Sequence, residues 1–227
     1  MNVFKILIVS GIMAFSLLSC NSKQEKRTDQ TDDIIEKITD PSYLFDGVSL
    51  DGWEITKFIL PGQVYVSKGE IVLEMGDGCT GITWTGTTPE MDYQLSLDAM
   101  RIAGSDFFCG LTFPVNDFFC SLIVGGWGGA LVGLSCIDHR DASDNETTGW
   151  MNFTDNQWYH ITLEVSGGKI KAMIDEQPVI DFTIGNHDLS VRPEVASNIP
   201  LGFASWHTTA ALKNIRLIRI GNQDTHS

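Results

Sequence analysis

The sequence predicts an all-β protein, a sandwich or jelly roll of two antiparallel sheets. Three observations predict it. The chain holds 22 glycines and 10% aromatic residues, so turns and large packing side chains are both plentiful. Two runs alternate strictly between apolar and polar residues. Tyr93, Leu95, Leu97 and Ala99 share one face of the first, and Tyr159, Ile161, Leu163 and Val165 share one face of the second. Many short apolar runs succeed one another with turn residues between them, and no helical apolar period appears beyond the N-terminal segment.

The chain opens on Lys5 and an apolar run from Ile6 to Leu18, interrupted by Ser10, Gly11 and Ser16. The run falls short of the ~20 residues a membrane-spanning helix needs and lies where a secretory signal lies. Residues 1–19 are therefore expected to be a signal peptide. Leu17-Leu18-Ser19-Cys20 resembles a bacterial lipobox, in which the cysteine is acylated and becomes the mature N-terminus. A plain secretory signal with an incidental cysteine is the alternative. Residues 20–42 then read as a lipidated N-terminus and a flexible polar tether, with Ile34, Ile35 and Ile38 spaced for a helical turn or two. The expected address is the cell envelope, on its periplasmic or surface side, with the membrane reached through the lipid anchor.

A single domain is expected over residues 43–221, followed by a tail at 222–227. Besides the two alternating runs, strands are expected near residues 71–74, 81–85, 107–113, 118–124, 130–136 and 210–220. Lys169 to Ile174 and Pro178 to Phe182 flank Asp175-Glu176-Gln177 as a hairpin. The loop Gly125-Gly126-Trp127-Gly128-Gly129 joins two strands. It reads either as a flexible turn or as the carrier of a mobile sugar-stacking Trp127, because indole rings pack well on the apolar faces of pyranoses.

The formal net charge is −14. So acidic a surface repels phosphate backbones, which argues against a nucleic-acid partner and against electrostatic attachment to anionic lipid. Cys79, Cys109, Cys120 and Cys136 remain once Cys20 is set aside, and four cysteines allow three complete pairings. Cys109 and Cys120 lie on consecutive expected strands and are the first pair to test. Buried free thiols are the alternative. No C-x-x-C spacing occurs, so a structural zinc site is not expected.

Neither a G-x-S-x-G elbow nor an H-E-x-x-H helix motif is present. Candidate polar residues fall in three places. Asp106 follows Gly104-Ser105. Asp138, His139 and Arg140 share a long connection with Glu146, which is either a functional rim or solvated surface. His207 follows Trp206 at the end of a strand beginning near Leu201, where it is either functional or a satisfied structural histidine. His160 lies on the polar side of the second alternating run and contacts ligand only if that side lines a concavity. His187 and His226 read as loop and tail.

The opening Leu44-Phe45-Asp46-Gly47-Val48-Ser49-Leu50-Asp51-Gly52-Trp53 and the closing Leu201-Gly202-Phe203, with Asn214-Ile215-Arg216, resemble the 3-keto-disaccharide hydrolase family. Asn156-Gln157-Trp158-Tyr159 and Gly129-Ala130-Leu131-Val132-Gly133-Leu134 add to the likeness, which spans residues 43–221. The resemblance implies a concanavalin A-like lectin/glucanase sandwich and a carbohydrate or glycoside ligand. Two places depart from the family pattern. Ser121-Leu122-Ile123-Val124 lacks the strand acid, and Trp206-His207-Thr208-Thr209 lacks the Asp that follows the histidine.

The resemblance also implies a reaction. A ketone at C3 acidifies the C2 hydrogen of a sugar, a base removes it, the glycosidic bond at C1 breaks, and water adds back. Such chemistry needs a base, an enolate stabiliser and an acid. His207 or Asp106 is the candidate base, Arg140 or His139 the stabiliser, and Glu146 the acid. Trp127, Trp206, Asp138 and His160 are candidate substrate contacts. No cofactor is identified, and a divalent metal remains open. A two-carboxylate glycosidase is the competing chemistry, and a non-catalytic glycan-binding lipoprotein the competing function. The enzyme reading asks His207, Arg140 and Glu146 to converge on one pocket.

Overall fold

The computed structural model describes residues 32–221. The leader, Cys20, His226 and the rest of residues 222–227 lie outside the described residues. Helix α1 occupies residues 32–39 within the expected tether. Lys37 pairs with Asp33 one turn earlier at 2.7 Å. The Asp40 carboxylate then binds the Ser42 amide (2.9 Å) and Arg216 (3.1 Å), which fastens the helix end to the domain.

Fourteen strands follow: β1 (Trp53–Ile55), β2 (Val64–Ser67), β3 (Glu70–Leu73), β4 (Cys79–Trp84), β5 (Tyr93–Gly104), β6 (Cys109–Val115), β7 (Phe118–Gly125), β8 (Leu131–Ser135), β9 (Gly149–Trp150), β10 (Trp158–Ser166), β11 (Lys169–Ile174), β12 (Gln177–Thr183), β13 (Gly202–Trp206) and β14 (Thr208–Arg219). They build two seven-stranded sheets. The first runs β1-β4-β13-β6-β7-β8-β9, and the second β12-β11-β10-β5-β14-β3-β2. Every named pairing is antiparallel, as expected for a jelly-roll sandwich.

The two alternating runs become β5 and β10, central neighbours in the second sheet. Their apolar faces align residue for residue: Tyr159 against Ala99, Ile161 against Leu97, Leu163 against Leu95, and Val165 against Tyr93. All eight side chains are buried. Directly opposed residues project from one face, so this single registration puts the whole set into the core. Leu111, Phe113, Leu122, Val124, Ile82 and Phe203 of the first sheet meet them. Tyr93 carries a hydroxyl into this core and donates it to the Pro114 carbonyl at 2.6 Å.

The opening and closing motifs meet at Leu44. Its amide donates to the Ile215 carbonyl at 2.8 Å. Its carbonyl accepts from the Trp53 indole at 2.7 Å. The Trp53 ring lies 5.1 Å from Trp84 and 5.6 Å from Phe203, so one residue ties the first turn, β4 and β13 together.

Of the two readings of the cysteines, the buried free thiols hold and the Cys109–Cys120 bridge does not form. All four described cysteines are free and buried. In the β6–β7 ladder Cys109 faces Val124 and Cys120 faces Phe113. Four residues therefore separate the two thiols along the ladder, about 13 Å, far beyond disulfide reach. Burial pushes the Cys109 and Cys120 thiols up to about 12, which keeps them neutral.

Trp53→Phe is expected to lower unfolding stability by about 2 kcal/mol, because the buried Leu44 carbonyl loses its donor. Urea denaturation measures this, and a loss below about 0.5 kcal/mol would show that the indole is not the anchor.

Candidate functional site

The outward side of the first sheet carries mostly small residues. Inward positions Leu111, Leu122 and Phe203 alternate with Gly110, Thr112, Ser121, Ile123 and Ala204. Ser135 stands opposite Ser121 on β8, and Gly133 opposite Ile123. The second sheet packs on the other side, so only loops cover this face. They bring a second apolar cluster: Phe107, Ile123, Leu131, Ala142, Val195 and Ala204 among others, with Phe58 and Trp206 against it.

A cavity of about 270 Å³ remains, lined by Asp106, Phe107, Ser121, Ile123, Trp127, Ser135, Arg192, Glu194, Val195 and Trp206. Three residues expected from sequence, Asp106, Trp127 and Trp206, thus stand together. Asp106 sits between β5 and β6, where Thr208 pins its backbone: the hydroxyl accepts from the Asp106 amide and donates to its carbonyl, both at 3.1 Å. One carboxylate oxygen, Oδ1, accepts from the Phe107 amide (2.8 Å) and the Trp127 amide (3.2 Å). The other accepts no hydrogen bond among the described residues.

Trp127 rides a tight turn over Gly126–Gly129, with φ of 47° at Trp127 and 88° at Gly128. The turn is pinned rather than loose. Buried Arg101 donates to the Gly129 carbonyl (3.1 Å) and the Phe153 carbonyl (2.8 Å) and pairs with Asp155. Gly129 has φ of 98°, a conformation that side chains rarely adopt, and a Cβ there would also stand 2.7 Å from that guanidinium, so the position favours glycine.

Arg192 and Glu194 stand in the lining with no sequence pattern that points to them. They flank Pro193 at the start of a short 3-10 turn, Pro193–Asn198. Arg192 binds both Glu194 oxygens (2.8 and 3.2 Å) and reaches Asp141 at 2.7 Å, with its guanidinium 6.0 Å from the Trp127 ring centre. The Arg192 hydrogen bond holds the Glu194 carboxyl below its ordinary range. Partial burial pushes Asp141 up, but Ser143 and Arg192 outweigh it and hold it low. Below the cavity, burial and then the nearby Glu194 and Asp106 charges push the Cys79 thiol up to about 12. Ser121, Ser135, Arg192 and Glu194 left weak signals. The serines are the polar beats of short apolar strands, and Arg192-Pro193-Glu194 reads as an ordinary turn.

The remaining expected residues lie elsewhere. His207 leaves the strand direction with φ 43° and is exposed, its ring 4.9 Å from Trp206 but outside the cavity lining. Arg140 is exposed on a turn where Ile137 and Arg140 pair through their backbones. Glu146 lines a separate polar cavity with His187, Asp181 and Thr183. There His187 binds Asp138 at 2.7 Å and approaches Glu146 at 3.6 Å, while His139 approaches Asp188 at 3.4 Å. The Asp138 hydrogen bond raises His187 above its ordinary value. His160 stands on the outer side of the second sheet, paired with Asp98 at 2.8 Å, on the far side of the sandwich from the cavity. His207, Arg140 and Glu146 therefore do not converge. The described residues contain no cluster of three or more His, Cys, Asp or Glu side chains arranged for a metal.

Gly76-Asp77-Gly78-Cys79-Thr80-Gly81 has G-x-G-x-x-G spacing, but it leads into β4 and not into a helix. The helix N-terminus of a dinucleotide site is missing from it.

Two facing seven-stranded antiparallel sheets with a cavity on one outer face define a lectin-like β-sandwich. The chain belongs to the family described as the 3-keto-alpha-glucoside-1,2-lyase-like domain, whose model matches residues 40–218. That membership makes it a carbohydrate-related domain. Similar solved structures include a galectin-like protein of unknown function from Bacillus subtilis, with a TM-score of 0.54 and 10% identity over 75% of this chain and 90% of that one. A Crh5 transglycosylase in complex with NAG gives 0.52 and 15% identity over 83% of each chain. A candidate glycosyl hydrolase from Parabacteroides distasonis gives 0.51 and 15% identity over 79% of this chain and 93% of that one. At these identities the likeness is one of fold. No curated protein matches the sequence.

Arg101→Met is expected to cost about 2–3 kcal/mol in urea denaturation, because two enclosed carbonyls lose their donor. Asp155→Asn should cost less than about 1 kcal/mol, since that carboxylate is half exposed. Equal losses would mean that the ion pair, not the carbonyl contacts, holds the turn.

Proposed function

We propose that the cavity on the first sheet binds a 3-keto-glycoside and cleaves it by elimination followed by hydration. The observation that supports this most is the meeting of an Asp106 carboxylate, held through one oxygen only, with Trp127, Trp206 and the Ser121 and Ser135 hydroxyls, in a chain of this family. The indoles offer apolar faces to a pyranose ring. The serines and Arg192 offer donors to its oxygens. Arg192 commits three of its five N–H groups to Asp141 and Glu194, leaving two and its charge for the substrate.

In this reading the unbound Asp106 oxygen takes the C2 proton. The electron pair passes to the C3 oxygen as an enolate, facing Arg192. Collapse of the enolate restores the ketone, forms a C1–C2 double bond and breaks the C1–O bond. The leaving oxygen takes a proton, which Asp106 now carries. Water adds across C1–C2, its hydroxyl to C1 and a proton to C2, for net hydrolysis.

Asp106→Asn keeps an acceptor oxygen for the two amides and removes the base. It is expected to lower kcat on 3-keto-glucosides by about 10²–10⁴ with little change in fold, measured by aglycone release and circular dichroism. A fully active variant would refute the assigned base. A second reading, glycan binding without turnover, draws on the dispersal of His207, Arg140 and Glu146 and on the engagement of both Glu194 oxygens. Wild-type protein that binds a 3-keto-glucoside in calorimetry and never releases the aglycone selects it.

We also propose that Cys20 is lipidated and holds the domain at the cell envelope, as the Leu17-Leu18-Ser19-Cys20 ending suggests. Cys20→Ser should abolish labelling by a fatty-acid analogue and move the protein from the membrane to the soluble fraction. Unchanged labelling would refute the anchor.

A further inference from the structure

The cavity is small for a whole glycoside. About 270 Å³ lies just under the ~300–1,000 Å³ usual for small-molecule sites and suits one sugar ring. The leaving group must then rest on the rim.

One stretch of rim is apolar and continuous with the cavity wall at Trp206. Gly78 lies between: a Cβ built there would stand 3.8 Å from the Trp206 ring and 3.6 Å from the Ile59 carbonyl oxygen. Phe58 packs in the same cluster as Trp206. Beyond it, Ile59 is 86% exposed, Leu60 66% and Met75 46%. Large apolar side chains so exposed and so close together mark a binding surface more often than an accident.

The surface is also rigid. The Asp77 amide donates to the Leu60 carbonyl (3.0 Å), and the Glu74 amide to the Gln63 carbonyl (2.9 Å). The Gly62 amide binds Thr80 Oγ1 (2.8 Å), and the Met75 amide binds Thr209 Oγ1 (3.0 Å). Gly62 and Gly76 have no room for a side chain, each being pressed against the facing loop's backbone. Two loops locked in this way hold Ile59, Leu60 and Met75 in water, with little ordering left to lose when a ligand covers them. The chain's net charge of −14 makes an anionic bilayer a poor occupant.

We infer that Ile59, Leu60 and Met75 form a subsite for an apolar aglycone, so that the preferred substrates are glycosides of alkyl or aryl alcohols and not of a second free sugar. The inference rests on reading the cavity as the sugar site. Phe58 and Trp206 join the two parts, the ring lying in the cavity and the leaving group running outward over the loops.

Methyl and n-hexyl 3-keto-α-glucosides test it, because their leaving alcohols are similarly acidic and differ in apolar length. Calorimetry reads binding, and alcohol release reads turnover. Wild-type protein should bind the hexyl compound at least about tenfold more tightly. The double variant Ile59→Ser with Leu60→Asn should bring that ratio to within about threefold of unity and leave the methyl compound unaffected. Asn suits position 60, where φ is 50°. A wild-type ratio near one, or a ratio the double variant leaves intact, overturns the subsite. Turnover without chain-length preference refutes the subsite alone. Chain-length preference without turnover refutes the catalytic reading alone. Chain-length-blind binding together with phosphatidylcholine vesicle binding that the double variant abolishes assigns the loops to a bilayer and overturns the inference.

Discussion

The outward face of the first sheet carries mostly small residues, and the cavity depends on that constraint. A sandwich buries one face of each sheet against the other; the outer faces must meet water, loops or ligand. Gly110, Thr112, Ser121, Gly133, Ser135 and Ala204 leave that face hollow. Loops fill part of the hollow. Ala142 rests on Gly133, where an added Cβ would lie 3.1 Å from the alanine methyl, and Val195 covers another part. The unfilled remainder is the cavity. Larger side chains at Ser121 or Ser135 would give a better-packed shell and no cavity.

The rim is held by charges at its ends. Arg101 fixes the turn below Trp127, Asp106 caps the Trp127 amide, and Arg192 joins Asp141 and Glu194 beside the same indole. Each clamp joins segments far apart in sequence, so the aromatic walls stand in place before any ligand arrives. Preorganisation of this kind lowers the ordering cost of binding.

The charged loop after β8 divides between two places. Asp141 turns toward Arg192 and the cavity, while Asp138 and Glu146 turn to His187 beside the edge strand β12. The backbone decides this. Ile137 bridges both Arg140 and Leu189, which closes a tight turn at Asp138 and His139, both with positive φ, and leaves Arg140 in solvent. Residues adjacent in sequence therefore serve different surfaces. Sequence proximity could not bring Glu146 to His207.

The sequence by itself determined the fold and its frame. Period-two alternation in β5 and β10 exposed the core faces, because a strand buried on one side must repeat every second residue. The paired Leu44–Trp53 and Asn214–Ile215 motifs marked the two ends that Leu44 joins. The short strands β1, β2 and β9 were illegible: each is an edge of two to four residues, too short and too exposed for a period. Asp106, Trp127 and Trp206 were legible as candidates because each sits at a strand end beside glycine or another aromatic. Only the tertiary structure decided that they share a cavity with Arg192 and Glu194, that Arg140, Glu146, His160 and His207 do not, and that Cys109 and Cys120 stay apart. The physical reason is that strand register and loop crossings set these distances, and they couple residues 21 to 102 positions apart through contacts that no local pattern encodes.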